Sequence, residues 1–327
     1  MTRYICSFLL LVALCAASVS AADGDGGYAG SFLQVPIGAR PTAMGGAYIA
    51  VSNDGAGALY NPAGLATLKK LMFSSSYRAM QLDRKLGYAS LIIPVEGDAA
   101  IGLQWVYAGS GSVTARDADG YALDHEFSSN NHDFAAIFAK KFERYLAIGA
   151  RLNYYVSTIP EVSTNSIGFD VGAMLYVEQL LDRAKRETFP VKDIRLGLTV
   201  RNLGYKLPWN SQTYNIKYGG VNEGYTQDDK VPVQVGLGAS ATFFERKLLL
   251  ASDVIKNEKQ AFQFRAGGEY YLVPEFAVRA GYGEKRFTAG TGYIFKFHKN
   301  SLAIDYAFST DRADEGSEHI FSFDFLF

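Results

Sequence analysis

Proton-transfer chemistry in this sequence would have to run through four histidines, His125, His132, His298 and His319. Imidazole changes charge nearest neutral pH, so it is the first candidate for general acid or base work. A hydrolytic site also needs a nucleophile and an acid held beside the histidine, and no Ser/His/acid constellation stands out here. Metal-ligand spacing is missing too, and glycine pairs such as Gly45-Gly46 lack the strand, lysine and helix of a phosphate loop. Both cysteines, Cys6 and Cys15, lie in an N-terminal stretch expected to be removed, leaving no thiol for catalysis, disulfides or zinc. The residue types argue against an enzyme, and no cofactor or metal is expected.

The ionisable residues that do form a pattern are Arg151, Asp170, Arg265, Glu269, Arg279 and Asp305, joined by Arg195, Arg201, Lys296 and Asp324. Each sits on the polar side of a segment that alternates apolar and polar residues. In "RYLAIGARLNYYVS", Leu146, Ile148, Ala150, Leu152, Tyr154 and Val156 oppose Ala147, Gly149, Arg151, Asn153 and Ser157. "VPVQVGLGASATF" divides the same way, with Val235, Leu237 and Ala239 against Gln234, Gly236, Gly238 and Ser240. Successive side chains of a strand point to opposite faces, so the charges share one face and the other is apolar. Charges of both signs inside favour a salt-bridged network that stiffens the interior over an ion-selective pore.

The elements that must position these charges are long strands, the signature of a transmembrane barrel with apolar residues outside and polar residues inside. Fourteen segments qualify, at 71–80, 85–94, 98–108, 130–141, 144–157, 164–176, 191–203, 231–243, 246–255, 260–272, 275–284, 285–297, 300–310 and 317–327. An even count brings both termini to one side. If the first strand runs outward, the longest connections, 109–129 and 204–230, fall outside, and most of the others at the opposite end are tight turns. The connection 177–190 is long where a short turn is expected; Val177, Leu180, Leu181 and Ala184 recur at helical spacing and predict a short amphipathic helix. Tyr77, Trp105, Tyr107, Tyr270, Tyr282 and Phe297 fall on the apolar face, as an interfacial girdle would. Aromatics at 14% and 33 glycines suit β-structure with tight turns, and no later apolar run is long enough for a membrane helix.

The two ends suggest a compartment. Residues 1–21 carry Arg3, an apolar run and small residues up to Ala21, the pattern of a cleaved export signal. Lipid attachment at Cys15 is the weaker reading, because Leu14 before it is bulky. Removal shifts the formal charge from −1 to −2, a near-balance that argues against a nucleic-acid partner. At the other end, "HIFSFDFLF" puts Phe321, Phe323, Phe325 and Phe327 on one face, with Ser322 and Asp324 on the other. The phenylalanines are expected to face lipid.

Residues 31–68 break the dyad. They are rich in small residues and in Pro36, Pro41 and Pro62, yet Phe32, Leu33, Val35, Ile37, Met44, Tyr48, Ile49, Leu59, Tyr60 and Leu65 are too apolar for a solvated tail. A plug folded inside the barrel fits them better than a disordered arm; residues 22–30, rich in Gly and Asp, are expected to be mobile. Asn61-Pro62 reads as a cap and first turn. Arg40 could meet interior carboxylates, and Phe32, Leu33, Tyr48 and Tyr60 are candidates for contact with an apolar ligand.

The stretch "FLQVPIGARPTAMGGAYIAVSNDGAGALYNPAGLATL" resembles the N-terminal region of FadL-like outer-membrane proteins, closest to the PorV/PorQ branch. The resemblance is carried by Gly38-Ala39-Arg40, Met44-Gly45-Gly46-Ala47, Asn53-Asp54 and Asn61-Pro62-Ala63-Gly64. It implies a fourteen-stranded barrel with an N-terminal hatch, and makes Asn61, Pro62, Ala63, Gly64, Gly38, Arg40, Gly45 and Gly46 hatch residues. Whether the Asn-Pro turn moves or is a fixed cap stays open. A last strand ending on Phe323, Phe325 and Phe327 also resembles the signal read by the barrel assembly machinery.

The expectation is therefore an all-β protein: a transmembrane antiparallel β-barrel of about 14 strands with a hatch inside. Its units are a signal at 1–21, an arm and hatch at 22–68, and a barrel at 69–327. The expected home is the bacterial outer membrane, with its lipids and assembly machinery as partners. The role that the resemblance implies is passive passage of hydrophobic small molecules, such as long-chain fatty acids, gated by the hatch. The alternative is a PorV-type part of type IX secretion that binds exported proteins.

Overall fold

The computed structural model describes residues 28–81, 83–117, 119–160, 162–181, 190–212, 224–310 and 316–327; the expected signal lies outside them. The first strands are β1 (Met72–Ala79), β2 (Lys85–Val95), β3 (Ala99–Gly109), β4 (Val113–Arg116), β5 (Ala122–Phe127), β6 (Asn130–Phe142), β7 (Leu146–Ile159), β8 (Val162–Tyr176) and β9 (Lys192–Leu203). They continue with β10 (Lys206–Asn210), β11 (Thr226–Lys230), β12 (Gln234–Phe243), β13 (Leu248–Asn257), β14 (Gln263–Val273), β15 (Phe276–Gly283), β16 (Arg286–Phe297), β17 (Asn300–Ser309) and β18 (Glu318–Leu326). All but β4, β5, β10 and β11 form one closed antiparallel barrel of fourteen strands. β1 pairs with β18 from Met72 opposite Leu326 to Ala79 opposite His319, so the wall has no free edge.

The dyad sets the two faces. Along β7, Gly149, Arg151, Asn153 and Tyr155 are buried, while Ile148, Leu152 and Tyr154 are exposed. Along β18, Ser322 and Asp324 are buried and Phe321 and Phe323 exposed. Phe325 is half-buried, its ring edge-on to the exposed Phe327 at 4.5 Å between centroids. Large apolar side chains left outside all round the ring mark a transmembrane barrel, whose outer solvent is hydrocarbon. Tyr77, Trp105, Tyr270, Tyr282 and Phe297 stand on this outer face.

The fourteen expected segments match the barrel strands to within three residues at each end. Two features depart from expectation. The long connections each carry a hairpin, β4 with β5 and β10 with β11, outside the barrel sheet. The amphipathic helix after β8 does not form over the described residues. Val177–Leu180 makes a single 3-10 turn, and the buried Glu178 carboxylate accepts from Asp193 N at 2.6 Å, which ties the chain back to β9. Ala184 lies outside the described residues.

The N-terminal segment contains a 3-10 turn at Ser31–Gln34, the helix α1 (Ala39–Ala43), and 3-10 turns at Gly57–Leu59 and Pro62–Thr67. It runs inside the ring, hydrogen-bonded to inward residues of β2, β12, β13, β16 and β18 through Ser90, Ser240, Asp253, Thr288 and Ser322. Its own Ile37, Met44, Tyr48, Val51, Leu59 and Tyr60 pack with Leu86, Tyr88 and Val106 of the wall. The fit leaves no room at Gly45, whose φ is +66° and whose added Cβ would sit 2.6 Å from the Tyr282 backbone. Of the stretch expected to be mobile, 22–27 lie outside the described residues, and Gly30 is buried against Val231.

Candidate functional site

The site is the boundary between the N-terminal segment and the wall. Arg40 stands at its centre, one residue into α1, which follows the turn at Gly38 (φ +91°) and lies against β15–β18. Its guanidinium makes a two-point contact with Glu269, Nε to Oε2 and Nη2 to Oε1, both 2.8 Å. The remaining nitrogen Nη1 donates to Tyr48 Oη at 2.8 Å, Asn53 Oδ1 at 2.7 Å and Asp54 Oδ2 at 3.2 Å. Glu269 also accepts from Arg279 Nε at 2.6 Å, and Arg279 reaches Asp305 at 2.6 Å. Planar guanidinium pairs to carboxylates this way are strong and orientation-specific.

A second network lies across the barrel. Arg151 is held by Asp133 at 2.5 Å, Asp170 at 3.1 Å and Gln104 Oε1 at 3.0 Å. Tyr205, just past β9, donates to Asp133 at 2.8 Å and so draws the start of the β10–β11 hairpin inward. Arg265 pairs with Glu284 at 2.6 Å, beside Gln34 of the segment. Of the other charges expected inside, Arg195 and Arg201 donate to the backbone carbonyls of Val51 and Leu33 at 3.3 Å. Lys296 departs from expectation: its strand reaches past the packed lumen, and it pairs with Glu275 at 2.7 Å on the rim, largely exposed.

Asn61 secures the far end of the segment. Its Oδ1 accepts from Ala63 N at 3.1 Å, capping the turn that Pro62 opens, and its Nδ2 donates to Ile49 O and to Ala173 O of β8, both at 3.0 Å. Ala63 and Gly64 are buried, and a Cβ on Gly149 of the wall would meet the Pro62–Ala63 backbone at 2.4 Å. Replacing Asn61 with alanine is expected to loosen the segment by about 2–4 kcal/mol, through the lost cap and two orphaned carbonyls. Asn61→Asp keeps the cap acceptor but sets a buried carboxylate oxygen against the Ile49 and Ala173 carbonyls, so it should loosen the segment at least as much. Limited proteolysis within residues 31–68 reads this; equal cleavage of the three proteins would contradict it.

The four residues expected to touch an apolar ligand separate in space. Phe32 stacks on Tyr155 at 5.7 Å and lines a cavity of about 730 Å³ at the long-loop end, with Val35, Met80 and Leu86. Leu33 packs into a core of Tyr155, Tyr205, Leu207 and Val231. Tyr48 and Tyr60 are buried edge-on to each other, and their hydroxyls do the fastening: Tyr60 Oη donates to Ile37 O at 2.9 Å and accepts from Ile37 N. Burial pushes both phenols well above their ordinary pKa, so they stay protonated donors. Phe32 alone of the four faces that cavity. A second cavity of about 640 Å³ adjoins it, lined by Tyr28, Leu207 and Trp209 together with Asp228 and Lys230.

Residues not singled out in the sequence also matter. Asp253 Oδ2 accepts from Tyr48 N at 2.7 Å and Ile49 N at 2.9 Å, and Arg78 donates to Glu318 and to Pro36 O. Each is an ionisable residue at inward parity in its strand, the signal that could have found it. Among the described residues, no cluster of His, Cys, Asp and Glu could hold a metal.

No family model matches this chain, and neither does any curated protein. Solved structures do resemble it. The toluene transporter TbuX of Ralstonia pickettii superposes with a TM-score of 0.58 at 13% identity, covering 89% of this chain and 97% of that one. The CymD monoaromatic hydrocarbon channel gives 0.59 at 14% identity, with 89% and 97% covered. A Pseudomonas aeruginosa FadL homologue gives 0.56 at 13%, with 90% and 98% covered. At these identities the likeness establishes a shared fold.

Proposed function

We propose that this protein is a FadL-like outer-membrane barrel through which hydrophobic small molecules pass passively, with residues 31–68 as a movable plug. The observation that carries this reading is the cavity of about 730 Å³ at the long-loop end, where Phe32 and Val35 of the plug meet Met80 and Leu86 of the wall to give an apolar side, opposite charged groups that include Arg84, Glu284 and Arg286. An apolar molecule entering there touches the plug first, so its binding and the plug's position are coupled. The fold shared with two transporters of aromatic hydrocarbons supports the same class of cargo. In this reading residues 1–21 are a cleaved export signal, the short-turn end faces the periplasm, and Phe323, Phe325 and Phe327 serve assembly.

The test is extraction of the purified protein with organic solvent. A fatty acid or comparable apolar molecule should be recovered, and it should be lost from Phe32→Asp, which replaces the aromatic ring on the cavity's apolar side with a carboxylate. Recovery of nothing from either protein counts against passage of such cargo.

A second reading is favoured by one feature. The β4–β5 hairpin projects with Tyr121, Leu123 and Phe127 exposed, a surface suited to binding another protein, as a PorV-type secretion component would. Cross-links from this hairpin to exported proteins, with an empty barrel, would favour it.

A further inference from the structure

Near the short-turn end, a cavity of about 140 Å³ lies between the N-terminal segment and β15–β18, lined by Asp54, Asp305, Asp324, Arg40 and Arg279 among others. With Glu269, which joins the two arginines, the cluster sets four carboxyl groups against two guanidiniums, so the carboxyls outnumber the cations that could balance them by two. All four carboxylate residues are buried. The two cations are already engaged: Arg40 with Glu269 and Asp54, Arg279 with Glu269 and Asp305. Asp324 receives neither. Its Oδ1, and the Oγ of Ser74 opposite on β1, are buried without a hydrogen-bond partner.

The other groups facing the cavity do not balance the charge. Asn53 and Tyr271 bring no positive charge, and Glu275 at the rim is matched by Lys296. Buried charges without a counter-charge are costly. Too few carboxylates converge to grip a bare divalent metal, whereas the cavity has room for an ion with a few waters, at about 30 Å³ each.

We infer that this cavity is a binding site for a monovalent cation, an alkali-metal or ammonium ion that keeps part of its hydration. The ion lies between Asp54 of the segment and Asp324 of the wall, and so fastens the one to the other where they would otherwise repel. The cavity borders Glu275 on the rim, so the ion enters from the short-turn end without displacing the segment.

The experiment uses the full protein in detergent at neutral pH and constant ionic strength. Equilibrium dialysis with radioactive rubidium should show saturable binding of about one ion per chain, and the melting temperature should rise with sodium or potassium relative to choline. Asp324→Asn should lose both effects. Should that variant not assemble, binding by the wild type decides alone. Absence of rubidium binding above the choline-competed background overturns the proposal, as does a melting temperature that follows pH but is indifferent to the cation. No cargo enters the measurement, so its failure is distinct from failure of the transport reading.

Discussion

Arg40→Ala is expected to open the barrel. Arg40 is the one residue of the described segment whose side chain grips a wall carboxylate at two points while also holding Tyr48, Asn53 and Asp54. Its removal leaves Asp54 without its cation and Glu269 with Arg279 alone. Breaking a buried ion pair from one side costs about 3–5 kcal/mol. At about 1.4 kcal/mol per tenfold, that shifts the plugged-to-open equilibrium by roughly a hundredfold to a few thousandfold. The wall should survive, because its strand ladders do not involve Arg40. Liposome swelling with small solutes should therefore rise at least tenfold, within the range of that shift, and the segment should become protease-sensitive. Arg40→Lys keeps the charge but not the two-point fork, and should give an intermediate rise. A closed, protease-resistant Arg40→Ala protein would show that the apolar packing alone holds the segment.

How much of this was legible in the sequence follows from where the physics is local. Whether Ile148 or Gly149 faces outward is fixed by strand parity, and Leu146 to Val156 spell it out over many residues, so the barrel strands could be read closely. The β4–β5 hairpin was not legible for the opposite reason. β5 is exposed along its whole length, so no face of it is under pressure to be apolar and no dyad appears. Arg40 could be expected to find a carboxylate inside, but which one depends on how α1 sits against β15–β18, information held by packing rather than by any stretch of sequence. Tyr48 and Tyr60 looked like apolar surface for a ligand. Their rings are core, and their hydroxyls bind Arg40 and Ile37. Lys296 shows the limit of parity: it has the inward phase, but the strand end carries it beyond the packed interior.

The central claim is that the segment must move for cargo to pass, and fastening it to the wall tests this most directly. Ala39 N donates to Ser322 Oγ of β18 at 2.7 Å, so Ala39→Cys with Ser322→Cys brings two thiols into reach of a disulfide or a short bis-maleimide bridge. No cysteine follows Cys15 in the sequence, so the described residues contribute no competing thiol. Bridging is predicted to reduce uptake of an apolar probe into proteoliposomes to the background of empty vesicles. Reduction of the disulfide should restore it, and each single-cysteine variant should transport normally. Undiminished uptake through fully bridged barrels would contradict the account, because passage would then not require the segment to leave its place.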